Sequence, residues 1–412
     1  MPGTEAPTLE RPRQAVILAG GRGTRLRPLT DTQPKPMVEF HGRPFLEYLV
    51  EMLREQGFER VLMLLGYLPE VIQEHFGDGT GLGVEIDYEV TDPDDQTTTR
   101  VSLAKDRLEE SFLLLYCDNY WPLSMDRMWE RFAALGVPAM VTVYSNKDGY
   151  RPGKDSVLVD GDGLVRVFDR GRTTRGLQGV EISYAILSRS VLELLPEEDE
   201  PIEAALYPRL AARGELGAYV SDHRYYSVGS LDRLEATERF LARRPALILD
   251  RDGVLNRKPP RAHYVTQPEE FEWLPGSLQA LRVLREAGYT VAVVSNQAGV
   301  GRGEMTEADL AEVNARMVGE AEEAGGRIDA IYHCPHDWDE GCDCRKPAPG
   351  MLFQAQRELD LDLSRTPFIG DDDRDVEAAE AAGCPPILVS DHFTLLDAVG
   401  GLLRAKDEVI AG

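Results

Sequence analysis

Short apolar runs, each closed by a glycine-bearing or acidic loop, recur along the chain and alternate with stretches whose apolar residues return every third or fourth position. VLMLL (61–65), VEIDYEV (84–90), FLLLYC (112–117) and AMVTVY (139–144) read as strands. FLEYLVEMLREQG (45–57) and MDRMWERFAAL (125–135) have the spacing of amphipathic helices. The alternation then begins again. TVAVVSNQ (290–297), DAIYHC (329–334), TPFIGD (366–371) and PPILVS (385–390) are interleaved with SLQALRVLREAG (277–288), ADLAEVNARMVGEAEEAG (308–325) and GMLFQAQREL (350–359). Such a pattern predicts an α/β fold with a parallel sheet covered by helices on both faces, twice over: two Rossmann-like, doubly wound domains. Each half opens with a strand running into a loop, AVILAGGRGTRLRPLT (15–30) and ALILDRDGVLN (246–256). LARRPA (241–246) is the expected junction, giving domains over 1–242 and 246–412. A length of 412 residues exceeds what one hydrophobic core supports, in agreement with two.

Charge narrows the partners. With 71 acidic against 45 basic residues the net charge is −26, which argues against a nucleic-acid or anionic-membrane surface. A phosphorylated ligand must then be met by local cations or a metal. Only seven residues are lysine, and two of them, Lys35 and Lys346, stand in Pro-Lys-Pro and Arg-Lys-Pro. Residues 1–14 show no apolar leader, no apolar run approaches a membrane span, and five cysteines make no secreted disulfide framework, so a cytoplasmic protein is expected. The sequence leaves oligomeric state open, a homo-oligomer included.

In the second half the strand ALIL delivers Asp250 and Asp252 to the sheet edge where open α/β sheets bind ligands. Two carboxylates two residues apart suit phosphoryl transfer through a covalent intermediate, one attacking phosphorus and the other serving as acid, then base. Mg²⁺ is the usual agent that neutralises the phosphoryl charge. Asp371, with Asp375 nearby, offers a further carboxylate for it, Ser295 a hydroxyl beside Asn296, and Lys346 a fixed cation. In IYHCPHDWDEGCDCRKP (331–347), Cys334, His336, Cys342 and Cys344 are four ligands of a kind that suits tetrahedral Zn²⁺ with no open position. A structural zinc there would brace the backbone just before Lys346.

These motifs resemble the haloacid dehalogenase superfamily of phosphatases over Ala246 to about Ser390. "LDRDGVLN", "SNQAGVGRG", "CRKPAPGM" and "GDDDRDVEAAEAAG" look like its heptose bisphosphate phosphatase branch, with the histidinol-phosphate phosphatases as neighbours. The resemblance implies Asp250 as nucleophile, Asp252 as general acid/base, and Mg²⁺ on Asp250, the Asp252 carbonyl and Asp371. It implies Ser295 and Lys346 on the phosphate, with Asn256, Asn296, Arg302 and Arg345 as further substrate contacts.

In the first half, the amides of Gly20, Gly21, Gly23 and Thr24 could wrap a triphosphate, with Arg25 and Lys35 neutralising it. Gly-Gly-x-Gly-Thr-Arg followed by Pro-Lys-Pro resembles the sugar-1-phosphate nucleotidyltransferases, a heptose 1-phosphate guanylyltransferase-like pattern that spans Gln14 to about Phe240. By that resemblance Asp118 binds Mg²⁺. Two departures stand out. Asp95-Gln96-Thr97-Thr98-Thr99 replaces a glycine-rich turn near the base, and Ser227 replaces the aspartate expected as second metal ligand; Asp222 is the candidate substitute. The pairing implies a bifunctional enzyme of sugar-nucleotide synthesis. One unit dephosphorylates heptose 1,7-bisphosphate at C7, and the other joins the heptose 1-phosphate to a nucleotide, GTP favoured. The alternative is a phosphatase carrying a non-catalytic nucleotidyltransferase-like module for binding or assembly.

Overall fold

The computed structural model describes residues 10–411, with side chains to residue 405. The segment 1–14, expected not to be a leader, therefore lies mostly outside the described residues. The chain divides between Leu241 and Ala242 into two compact units.

The first unit is built on seven strands: β1 (Gln14–Ala19), β2 (Arg60–Leu65), β3 (Glu85–Val90), β4 (Ser111–Tyr116), β5 (Ala139–Tyr144), β6 (Val180–Ser188) and β7 (Leu216–Ser221). They lie in the order β7-β5-β6-β4-β1-β2-β3. In β1 every residue is buried, and alternate side chains enter two cores: Ala15, Ile17 and Ala19 on one face, Val16 and Leu18 on the other. Burial on both faces is why the strand runs are continuously apolar instead of alternating.

The expected parallel core is present, with one strand reversed. β6 runs antiparallel to both β4 and β5, while the other neighbours are parallel. A parallel return needs a crossover of a dozen or more residues, usually a helix. Between β5 and β6 the chain makes instead a small antiparallel ribbon, Val157–Val159 against Val165–Phe168, so β6 re-enters reversed. Its register against β5 is broken between Glu181 and Ala185, and Ser183 there has φ 70°.

The second unit has the expected form, with all neighbours parallel: β8 (Ala246–Asp250), β9 (Thr290–Asn296), β10 (Ala330–Cys334), β11 (Phe368–Gly370) and β12 (Pro386–Leu388), in the order β10-β9-β8-β11-β12. Along β8, Leu247 and Leu249 face one core and Ala246 and Ile248 the other, so the central strand carries Asp250 out at its carboxyl end. No helix among the described residues is long and apolar enough to cross a membrane.

Candidate active sites

At the carboxyl edge of the second sheet, Asp250 is buried beside Lys346, whose Nζ lies 2.8 Å from Asp250 and 2.7 Å from Asp375. Ligand oxygens of Asp250, Asp371 and Asp375 all fall within 4.8 Å of one another. Two glycines allow this crowding. Gly253 has φ 99°, and a Cβ on it would collide with the Asp371 carboxylate; a Cβ on Gly370 would collide with Asp375. The Lys346 backbone is tied to β9 by a two-way clamp: its amide donates to Asn296 Oδ1 at 3.0 Å, and Asn296 Nδ2 donates to its carbonyl at 3.0 Å.

The two aspartates of the Asp-x-Asp pair titrate in opposite directions. Burial raises Asp250 to about 7, and Asp375 and Asp252 add to that against the pull of Lys346. Burial works against ionised Asp252 too, but Arg251, Asn256 and Gln297 outweigh it and hold it below the ordinary carboxylate range. Asn256 Nδ2 and Gln297 Nε2 each donate to Asp252 at 2.9 Å. Gln297 Nε2 also donates to Ser295 Oγ at 2.7 Å.

A cavity of about 870 Å³ opens over this edge, and Asp250, Asp252, Ser295, Asn296, Arg345 and Lys346 all line it. Two expected contacts are placed differently. Asn256 is fully buried and orients Asp252 instead of facing substrate. Arg302 is turned by its acidic neighbours toward Glu304 at 3.2 Å and Asp337 at 3.5 Å, with its guanidinium 4.8 Å from the Trp338 ring centre. Lys258 and Arg374 also line the cavity, and sequence reading passed over both. Lys258 Nζ bonds Asp371 at 2.8 and 3.0 Å and Asp372 at 3.3 Å. A signal for it existed, since it is one of only seven lysines.

The cysteine loop closes on itself. Cys334 Sγ lies 3.5 Å from His336 Nδ1 and 3.6 Å from Cys342 Sγ; Cys344 Sγ lies 3.2 Å from His336 Nδ1 and 3.4 Å from Cys342 Sγ. Four ligands around one tetrahedral zinc would sit about 3.3–3.8 Å apart, so the donor set fits that ion. Burial, then the neighbouring sulfurs, pushes the Cys344 thiol well up, whereas hydrogen bonds from Cys344 and the Arg345 amide overcome burial and bring Cys342 down to about 7. Three thiols in this space want a cation.

In the first unit the glycine loop follows β1. Gly23 has φ 62° and packs against Lys35 and Thr30. Gly20 leaves room for the guanidinium of Arg100, a buried arginine that sequence reading missed. Arg100 donates to the carbonyls of Leu65 at 2.7 Å, Asp92 at 2.8 Å and Asp95 at 3.0 Å, so it props the loop opposite the glycines. Gly20, Gly21, Gly23, Lys35, Gln96 and Asp118 border a cavity of about 320 Å³. The threonine run forms the first turn of helix Thr97–Leu103, and its hydroxyls hold residues 199–202: Thr99 to Asp199 at 2.7 Å, Thr98 to the Glu200 carbonyl at 2.8 Å, and Thr97 accepting from the Ile202 amide at 2.7 Å.

Asp118 pairs with Lys35. Burial opposes its charge, but Lys35, Arg25 and Arg233 outweigh it and keep its pKa below the usual range. Thr24 and Arg25 form an exposed turn beside the loop. Asp222, the candidate substitute, is engaged elsewhere. It pairs with Lys147 at 3.6 Å, and no metal-capable group of three or more among the described residues contains Asp118 or Asp222.

The two edges define two kinds of phosphorus chemistry on one chain. A nucleotidyl transferase family model matches residues 14–153, and a HAD-hydrolase-like model matches residues 343–410. The D-glycero-beta-D-manno-heptose-1,7-bisphosphate 7-phosphatase of Bordetella bronchiseptica is 46% identical over 143 residues, 35% of this chain and 79% of the relative. Among solved structures, D,D-heptose 1,7-bisphosphate phosphatase from B. bronchiseptica complexed with magnesium and phosphate is 37% identical (TM-score 0.37; 39% of this chain, 99% of that one). HddC from Yersinia pseudotuberculosis complexed with GMP-PN is 24% identical (TM-score 0.47; 55% of this chain, 99% of that one). Through its second unit the chain belongs to the D-glycero-beta-D-manno-heptose-1,7-bisphosphate 7-phosphatase family, and its first unit carries a nucleotidyltransferase domain.

Proposed function

We propose that the chain is a cytoplasmic bifunctional enzyme with domains over 1–242 and 246–412, removing the C7 phosphate of heptose 1,7-bisphosphate and coupling the heptose 1-phosphate to a nucleotide, GTP favoured. The observation that carries the reading is the convergence of Asp250, Asp371, Asp375 and Lys346 at one strand edge, with Asp252 two residues on.

In the phosphatase unit, Asp250, the Asp252 carbonyl and Asp371 would hold Mg²⁺, which supplies positive charge against the phosphoryl oxygens and the Asp250 carboxylate. Asp250, ionised where bound Mg²⁺ would offset the burial that favours its neutral form, attacks phosphorus to give an aspartyl phosphate. Asp252 takes up a proton as the negatively charged phosphate binds beside it and passes that proton to the departing sugar oxygen. Asp252 then takes a proton from the water that hydrolyses this intermediate. Ser295 and Lys346 grip the phosphate, and Arg345 reaches the rest of the substrate. Zn²⁺ on Cys334, His336, Cys342 and Cys344 is structural. In the first unit Gly20, Gly21, Gly23 and Thr24 cradle the triphosphate, Arg25 and Lys35 neutralise it, and Asp118 holds Mg²⁺. Ser227 favours the second reading, a phosphatase with a binding module only.

The deciding experiment gives purified protein Mg²⁺, each anomer of heptose 1,7-bisphosphate and each nucleoside triphosphate in turn, with products read by mass spectrometry. Phosphate, pyrophosphate and one nucleotide-heptose support the bifunctional reading; phosphate alone supports the second. Phosphatase turnover retained by Asp250→Asn would refute the aspartyl-phosphate route.

A further inference from the structure

The first unit gathers cations where its acidic partner is missing. Ser227 lies in a two-residue strand, Tyr226–Ser227, paired with Asn119–Tyr120 directly after Asp118. The Val228 amide donates to the Asp118 carbonyl at 3.0 Å, so this segment is fixed against the Asp118 strand end. A Cβ placed on Gly229 would lie 3.0 Å from Ser227 Oγ, 3.9 Å from Arg233 Nη1 and 4.0 Å from Asp118 Oδ2. The bare glycine, whose amide donates to Ser227 Oγ at 3.0 Å, thus lets a hydroxyl, a guanidinium and the carboxylate oxygen that pairs with Lys35 come close together.

Arg233 is held in place but left unspent. Its guanidinium carbon lies 5.1 Å from the Tyr225 ring centre, and its Nη2 is buried with no hydrogen-bond partner among the described residues. A buried guanidinium N–H without an acceptor is costly, and a ligand oxygen removes that cost. Lys35, Arg25 and Arg233 all act on Asp118, three cations to one carboxylate, inside a chain of net charge −26. A second divalent cation would meet a serine and a guanidinium here, whereas an anion meets complementary charge.

We infer that Arg233, with Ser227 and Lys35, receives the phosphate of the acceptor sugar phosphate, an anion site at the position where a second metal ion would need a carboxylate. This rests on the transferase reading of the first unit. In the step served, an oxygen of the bound phosphate attacks the α-phosphorus of the nucleoside triphosphate. A new P–O–P linkage forms as the bond to pyrophosphate breaks, and pyrophosphate leaves with the electron pair. Arg233 stays protonated throughout and moves no proton.

The test compares full-length wild type with Arg233→Gln and Arg233→Lys, using the thermal transition of the first unit as the control that each variant is folded. In Mg²⁺, Arg233→Gln is expected to raise the KM for heptose 1-phosphate about tenfold or more while the KM for the nucleotide stays within about twofold, and Arg233→Lys to recover part of the loss. Separately, heptose 1-phosphate is titrated calorimetrically in Mg²⁺-free buffer on a Lys346→Ala background, which weakens phosphate binding in the second unit. Binding with Arg233 and its loss with Gln support the inference. Equal affinity in Arg233→Gln, or wild-type binding that appears only when Mg²⁺ is restored, overturns it. If wild type releases no pyrophosphate, the transferase reading fails, and the Mg²⁺-free titration still decides the role of Arg233.

Discussion

Asp250 and Asp252 show how much two neighbouring residues of one type can differ. One ends a buried strand among carboxylates and is pushed toward its neutral form; the other is ringed by donors and kept ionised. That both would stand at the sheet edge was legible from the sequence, because a strand followed by Asp-x-Asp leaves little choice. Arg100 and Arg233 were not legible, because nothing in the residue spacing around them marks what their guanidinium groups meet in the fold, and Lys258 carried only the signal of its rarity. Glu181 belongs with them. It lies on the irregular part of β6, where burial and then Glu203 raise it to about 8, against a Ser183 amide bond and Arg170. Its folded pKa exceeds the ordinary 4.5, so the folded form binds the proton more tightly. The stability this gives is whole below about pH 4.5 and is lost as pH rises through about 8. Glu181→Gln is expected to narrow the drop in melting temperature between pH 6 and pH 9 by about 5 °C, measured by thermal unfolding. An unchanged drop would remove Glu181 as its source.

At the scale of elements, the cysteine loop is the clearest case of sequence announcing structure, since ligand type and spacing survive any detail of the fold. The loop runs straight into the Asn296–Lys346 clamp, so the ion would act on the phosphate site through the backbone. Cys342→Ser is expected to lower bound zinc, read by elemental analysis, and to cost the second unit on the order of 3 kcal/mol, with the phosphate KM rising in step. Full stability without zinc would detach the loop from the site. The helix Thr97–Leu103 is the opposite case. Its threonines look like damage to a nucleotide loop, yet they bond the 199–202 segment, and Arg100 on the same helix braces the glycine loop. Arg100→Ala removes three hydrogen bonds to backbone carbonyls, of which Leu65 and Asp92 keep a backbone donor, and is expected to destabilise the first unit by roughly 3 kcal/mol, seen in urea unfolding. β6 shows where periodicity fails: VEISYAILS mixes Glu181 and Ser183 into its apolar positions and went unread as a strand, and its reversed direction follows the preceding ribbon.

For the whole molecule, the recurrence of one α/β alternation made two units readable, while their different sheets, mixed and parallel, were not. Separate cores predict separate melting. Calorimetry is expected to resolve two transitions, with a zinc chelator lowering one of them by about 10 °C and leaving the other in place. A single transition that moves as one would contradict this. The ion-paired lysines carry a different kind of consequence. Lys35, Lys258 and Lys346 are three of only seven, and each is engaged with a carboxylate at one of the two sites. Amine-directed coupling, whether for a dye, a resin or a cross-linker, would therefore have four lysine side chains apart from these three on which to act. Lys258 is the most exposed of the three and Lys346 is buried, so labelling that goes beyond more exposed amines such as Lys147 would enter the phosphatase cavity at Lys258 first.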